Sequence, residues 1–155
     1  MLKRLTLNFI SLIVILLCAF ANAQDFDRPI ASALTVSPSY VDISSQGATI
    51  TLSVQISDAS TVTIMPGYSA GYLREQGEDQ IIGSDQFSSW SLVSGDQFNG
   101  TYQATKFLSP SNIPSDTFRI QETFYLEDAG GLRPNGVEDI YVQVRNDFEG
   151  QDFDK

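Results

Sequence analysis

Ten consecutive residues, ATITLSVQIS from Ala48 to Ser57, alternate apolar and polar side chains almost without a break. Ile50, Leu52, Val54 and Ile56 fall on one side of an extended chain; Thr49, Thr51, Ser53 and Gln55 fall on the other. Side chains repeat every two residues along a strand and every 3.6 along a helix, so this stretch separates a dry face from a wet one only as a strand. The same period recurs downstream. In TFRIQETFYLED, Phe118, Ile120, Phe124 and Leu126 share a face; Glu122 on that face is the exception and predicts a bulge or register shift. In EDIYVQVRN, Ile140, Val142 and Val144 point inward. In QFSSWSLVSG, Trp90 is a core residue with Leu92 on its face. STVTIMPG adds Val62 and Ile64. ALTVSPSYVDIS carries Leu34 and Val36, then Val41 and Ile43, interrupted by Pro38. Proline cannot donate to a ladder, so this reads as an edge strand that breaks and resumes. Tyr68 to Ser84 has three glycines and no sustained period, and reads as a long surface loop with a short strand at Ile81-Ile82. Seven to nine short strands with no helical period predict an all-β fold: a two-sheet antiparallel sandwich, with a small closed barrel as the other arrangement.

The N-terminus reads as a secretion leader. Lys3 and Arg4 precede the apolar run Phe9 to Phe20, and Ala21 and Ala23 place cleavage before Gln24. The run has 12 residues, short of the roughly 20 that a membrane-spanning helix needs. Lipid attachment at Cys18 is disfavoured by the bulky Leu17 before it, and a retained anchor is a further alternative. The expected organisation is a leader over 1–23, a short tail over 24–29, the sandwich over 30–146 and an acidic tail over 147–155. The two tails share a pattern, QDFDR at 24–28 and QDFDK at 151–155, either a docking motif or a coincidence of solvated ends.

Composition excludes more than it proves. There is no histidine, and the single cysteine lies in the leader. That removes Ser-His and Cys-His nucleophile systems and the usual ligand sets for zinc, copper and haem. No glycine-rich phosphate loop is present. A carboxylate pair of the glycosidase kind remains possible in principle, and nineteen acidic residues make a chance pair expected. Without Lys3 and Arg4, seven basic residues face nineteen acidic ones, a net charge of about −12. Nucleic acid and anionic membranes repel such a chain. The mature chain holds no disulfide and depends on its core.

Three stretches, LTVSPSYVDISSQGATITLSVQISD, NGTYQATKFL and TFRIQETFYLEDAGG, resemble bacterial Ig-like sandwich domains of secreted and surface proteins. The resemblance covers about half of the mature chain and implies a spacing, adhesion or substrate-proximity role rather than an activity. Two places depart from that pattern: Lys106 where an aromatic residue is expected, and the longer turn through Arg133-Pro134-Asn135-Gly136.

Two candidate sites follow. Calcium is the metal that the composition permits, and in an Ig-like topology the loops bearing Asp58 and Glu127-Asp128 lie at one end of the sandwich. The plainer reading is that Asp58 and Asp128 shape turns. A protein- or polysaccharide-binding surface is expected from Tyr68, Tyr72 and Phe87 beside the irregular loop, with Tyr125 and Tyr141 on outward faces of adjacent strands. Cross-strand packing of Tyr125 on Tyr141 is the plainer reading there.

Asn99-Gly100-Thr101 matches a glycan acceptor by letter. Asn-Gly is also a strong hairpin-turn signal, and the resemblance points to a bacterium, so the stretch reads as turn plus strand. Clean alternation after it would turn Lys106 toward the core, which predicts a bulge at Thr105-Lys106 that brings Phe107 in. The expected protein is an exported, non-catalytic binding or structural module without a cofactor, with a carbohydrate-binding or enzyme-accessory module as the alternative.

Overall fold

The computed structural model describes residues 26–75, 81–137 and 139–147. Among them lie eleven β-strands and no helix: β1 (Ile30–Ser37), β2 (Tyr40–Asp42), β3 (Ala48–Ser57), β4 (Thr63–Ile64), β5 (Gly71–Glu75), β6 (Ile81–Gln86), β7 (Ser91–Gly95), β8 (Asn99–Leu108), β9 (Asp116–Glu122), β10 (Leu126–Glu127) and β11 (Ile140–Arg145). They form a β-sandwich. One sheet has the order β1-β3-β8-β7 and the other β2-β11-β9-β5-β6, with β4 and β10 paired as a small ribbon. Every pair is antiparallel except β2 with β11.

The spine is β3 against β8, in register over ten residue pairs from Ala48↔Leu108 to Ser57↔Asn99. Alternation puts Ile50, Leu52, Val54 and Ile56 inside beside Tyr102, Ala104 and Leu108. Leu73, Phe118, Ile120, Val142 and Val144 face them from the other sheet. Burying each large aliphatic side chain is worth about 1.5–3 kcal/mol, so this layer supplies much of the stability. Trp90 closes one end of the core. It stacks on Phe124 with centroids 5.9 Å apart, and its indole N–H donates to Thr123 O at 3.2 Å.

Several expectations change in three dimensions. The chain does break at Pro38, after a cis Ser37–Pro38 bond, but it resumes in the opposite sheet, so β1 and β2 edge different sheets. The stretch expected as a long loop is largely hairpin: β5 pairs with β6 and also with β9. The β5 alternation is real but short, with Leu73 buried between half-buried Tyr72 and Arg74. Glu122 causes no bulge. Strand β9 keeps register with both neighbours and ends there, so the apolar face continues in β10 on a separate ribbon.

The opening of β8 also differs. The turn lies at Asp96–Phe98, one step before Asn-Gly, because the Asp96 carboxylate accepts the amides of Phe98 and Asn99 at 2.9 Å each. Those bonds hold the Asp96 carboxyl below its ordinary pKa. Gly95 takes φ of 78°, which only glycine adopts freely. Asn99 and Gly100 are already strand. The bulge predicted at Thr105-Lys106 is absent: the spine register is unbroken, Lys106 turns inward at 9 % exposure, and Phe107 stays outside at 63 %. Ten ladder pairs outweigh one awkward side chain. Phe107 is also engaged outside, its ring lying where a Cβ on Gly47 would sit.

Candidate binding surface

The two outer faces of the sandwich differ in chemistry. Strands β1, β3, β7 and β8 contain one charged residue, Lys106, and it points inward. Every outward position of β3 and β8 is Thr, Ser, Asn, Gln or Phe. The outer face of the five-stranded sheet instead combines tyrosine with charge. Tyr40 on β2 and Tyr141 on β11 are exposed, at 51 % and 43 %. Register sets Tyr141 beside Arg119, and Arg119 beside Arg74 on β5. Tyr72 lies two residues from Arg74 on the same face, half-buried.

At the rim of this face the chain gathers a second group. Tyr68, before β5, stacks on Tyr125, between β9 and β10, with centroids 4.5 Å apart and planes 22° from parallel. The Arg133 guanidinium lies 5.5 Å from the Tyr125 ring centroid. Its Nη2 also pairs with Glu127 Oε1 at 3.5 Å. Burial first, then the neighbouring Tyr72 hydroxyl, raise the Tyr125 phenol above its ordinary pKa. Five of the six tyrosines thus stand on or beside one face; the sixth, Tyr102, is core. Ion pairs of Arg119 with Asp139 at 3.5 Å and Arg145 with Asp42 at 3.6 Å cross it. Such exposed pairs add little stability.

Of the expected surface residues, the structure brings Tyr68, Tyr72 and Tyr125 together and leaves Tyr141 exposed on the same sheet. Phe87 is a correction: it is 2 % exposed and belongs to the core. Its amide bonds to Gly71 O at 3.0 Å, which draws the chain inward after β6. Tyr125 packs on Tyr68 rather than on Tyr141, because it stands after β9 ends instead of within it. Sequence reasoning missed Arg133 and Tyr40. Arg133 sits in a turn without period, and Tyr40 beside the proline break.

The expected calcium ligands do converge, but as a turn system. Asp58 Oδ1 accepts the Ser60 amide at 2.7 Å and the Ser60 hydroxyl at 2.8 Å. Asp128 Oδ1 accepts the amides of Gly130 at 2.7 Å and Leu132 at 2.8 Å. The two loops meet where Ala129 N donates to Ser60 Oγ at 3.3 Å and Thr63 Oγ1 to Glu127 O at 3.1 Å. Among the described residues, no three acids gather closely enough to hold a metal ion. The acidic repeats at the two termini lie mostly outside the described residues.

No curated protein and no solved structure matches this chain. A family model described as a domain of unknown function, DUF7035, matches residues 24–148, most of the chain, and the protein belongs to that family.

Proposed function

We propose that the protein is an exported, non-catalytic binding module of Ig-like sandwich type that recognises a protein partner through the tyrosine-rich face of its five-stranded sheet. The observation that carries this reading is the gathering of five tyrosines with Arg74, Arg119 and Arg133 on one side of the molecule. Tyrosine and arginine dominate the energetic centres of protein interfaces, and rigid rings lose little entropy on contact. The tyrosines are also partly pre-packed: the Tyr68–Tyr125 stack and Arg133 hold one another before any partner arrives. Export is supported by the leader pattern and by a family match that begins at Gln24, just past the expected cleavage. The switch of the first strand between sheets, with β2 parallel to the last strand, supports the Ig-like comparison. A non-catalytic role is supported by the lack of histidine and by a lone cysteine in the leader.

A carbohydrate-binding or enzyme-accessory role is the second reading, favoured by the exposed rings of Tyr40, Tyr68 and Tyr141, since sugars stack on such faces. The protein, immobilised from Gln24 onward, is tested for capture of proteins from culture medium and for retention on polysaccharides. The protein-partner reading expects one captured species, and Tyr68→Ala to weaken it by about 2 kcal/mol, roughly thirty-fold. Retention on a glycan that Tyr68→Ala and Tyr141→Ala abolish, with no protein captured, would establish the second reading instead.

A further inference from the structure

The chain contains one Asn-x-Thr/Ser triplet, Asn99-Gly100-Thr101. The family match carries no bacterial assignment, so the acceptor reading rests on the residues alone. Asn99 is exposed as the first residue of β8, beside the β7–β8 turn. Positions i and i+2 of a strand share a face, which sets the Thr101 hydroxyl on the same side as the Asn99 amide. Gln55 bridges them: its Nε2 donates to Asn99 Oδ1 at 2.5 Å, and its Oε1 accepts from Thr101 Oγ1 at 2.8 Å. Asn99 Nδ2, the atom that would be modified, donates to nothing among the described residues. A substituent there projects from the rim without breaking a bond. The neighbouring surface gives it a physical purpose. Strand β7, Ser91–Gly95, is a sheet edge exposed at every residue, Leu92 at 37 % and Val93 at 50 %, with no charge or proline. Open apolar edges invite pairing with other chains and are normally blunted by charge, proline or bulges. Here the one such device is the register shift between Leu92 and Ser94.

We propose that Asn99 carries an N-linked oligosaccharide that shields the β7 edge; this rests on the export reading. A bond forms between Asn99 Nδ2 and the anomeric carbon of the first sugar of a lipid-diphosphate-linked oligosaccharide. The bond from that carbon to phosphate breaks, the lipid diphosphate leaves, and the amide nitrogen gives up one proton. The test expresses the full chain with its own leader in eukaryotic cells that N-glycosylate. The expected result is secreted protein whose mobility shifts on treatment with peptide-N-glycosidase, leaving Asp at position 99. The shift should vanish in Asn99→Gln and Thr101→Ala and persist in Thr101→Ser. Secreted wild-type protein without a shift overturns the proposal while export stands. Failure of secretion sinks the export reading instead; the chain from Gln24 behind a proven leader then takes the same test, and an unmodified Asn99 there overturns the proposal. Shielding predicts that Asn99→Gln self-associates at concentrations where wild type runs as a single species; an equally monodisperse variant refutes that part.

Discussion

Asn146 ties the last strand to the rest of the molecule, and its removal has a cost that can be worked out. It follows β11 directly and is 9 % exposed. Its Nδ2 donates to Pro110 O at 2.7 Å and to Ile113 O at 2.6 Å, both in the connection from β8 to β9. Its backbone exchanges two further bonds with Ser115 Oγ. Because β8 and β9 belong to different sheets, this latch fixes one end of the sandwich. Asn146→Ala removes two donors at about 1 kcal/mol net each and leaves carbonyls without a partner, at least one of them buried; the expected loss is about 2–4 kcal/mol. For a domain of this size that lowers the Tm by roughly 8–16 °C. Asn146→Asp is expected to be worse than Ala at neutral pH, since a carboxylate then faces two carbonyl oxygens. The buried Asp would have a raised pKa in the folded state, so its penalty is absent below the ordinary carboxylate range and grows as pH rises through the raised value. Thermal unfolding followed by circular dichroism at pH 7 and near pH 4 reads both effects. Asn146→Ala within about 0.5 kcal/mol of wild type, or Asn146→Asp more stable than Ala at pH 7, would refute the latch.

Gly100 leaves no room for a side chain, since an added Cβ would run into Asp96 O and Leu92 Cδ1; Gly100→Ala should cost about 1–3 kcal/mol in denaturant melts, and an unchanged midpoint would show that the turn yields. Burial raises the Glu122 pKa above its ordinary value, with Asp139 adding to that and the Val137 amide opposing it. The native state therefore holds this proton more tightly, and the Glu122 contribution is present at acid pH and lost as pH rises through the raised value. Glu122→Gln keeps an acceptor for Val137, so it should melt higher than wild type at pH 7 with the gap closing at acid pH; a lower melt at pH 7 would contradict this. With Oδ1 of Asp58 and of Asp128 accepting turn amides, millimolar calcium followed by chelator should leave the Tm unchanged; a rise that the chelator reverses would establish a metal site instead.

Alternation along the chain specifies the class of fold and most of its core. An unbroken alternation such as Ala48 to Ser57 buries its apolar face only as a strand, and repeated along the chain it leaves room for little but a sandwich. Trp90, Val142 and Val144 were legible for the same reason. What pattern cannot carry is which strand meets which. Pro38 marked a break, but only tertiary pairing sent the two halves to opposite sheets. Tyr125 and Tyr141 looked like cross-strand neighbours, yet the end of β9 at Glu122 gave Tyr125 to Tyr68, and a turn arginine joined them. Lys106 shows the difference most plainly. Read alone, its charge demands a bulge; in the sheet, a ladder of ten pairs with β3 holds the register, and one inward-turned, buried lysine costs less than breaking it. Local alternation is a property of the chain, whereas register and face are decided by the neighbours that share the hydrogen bonds.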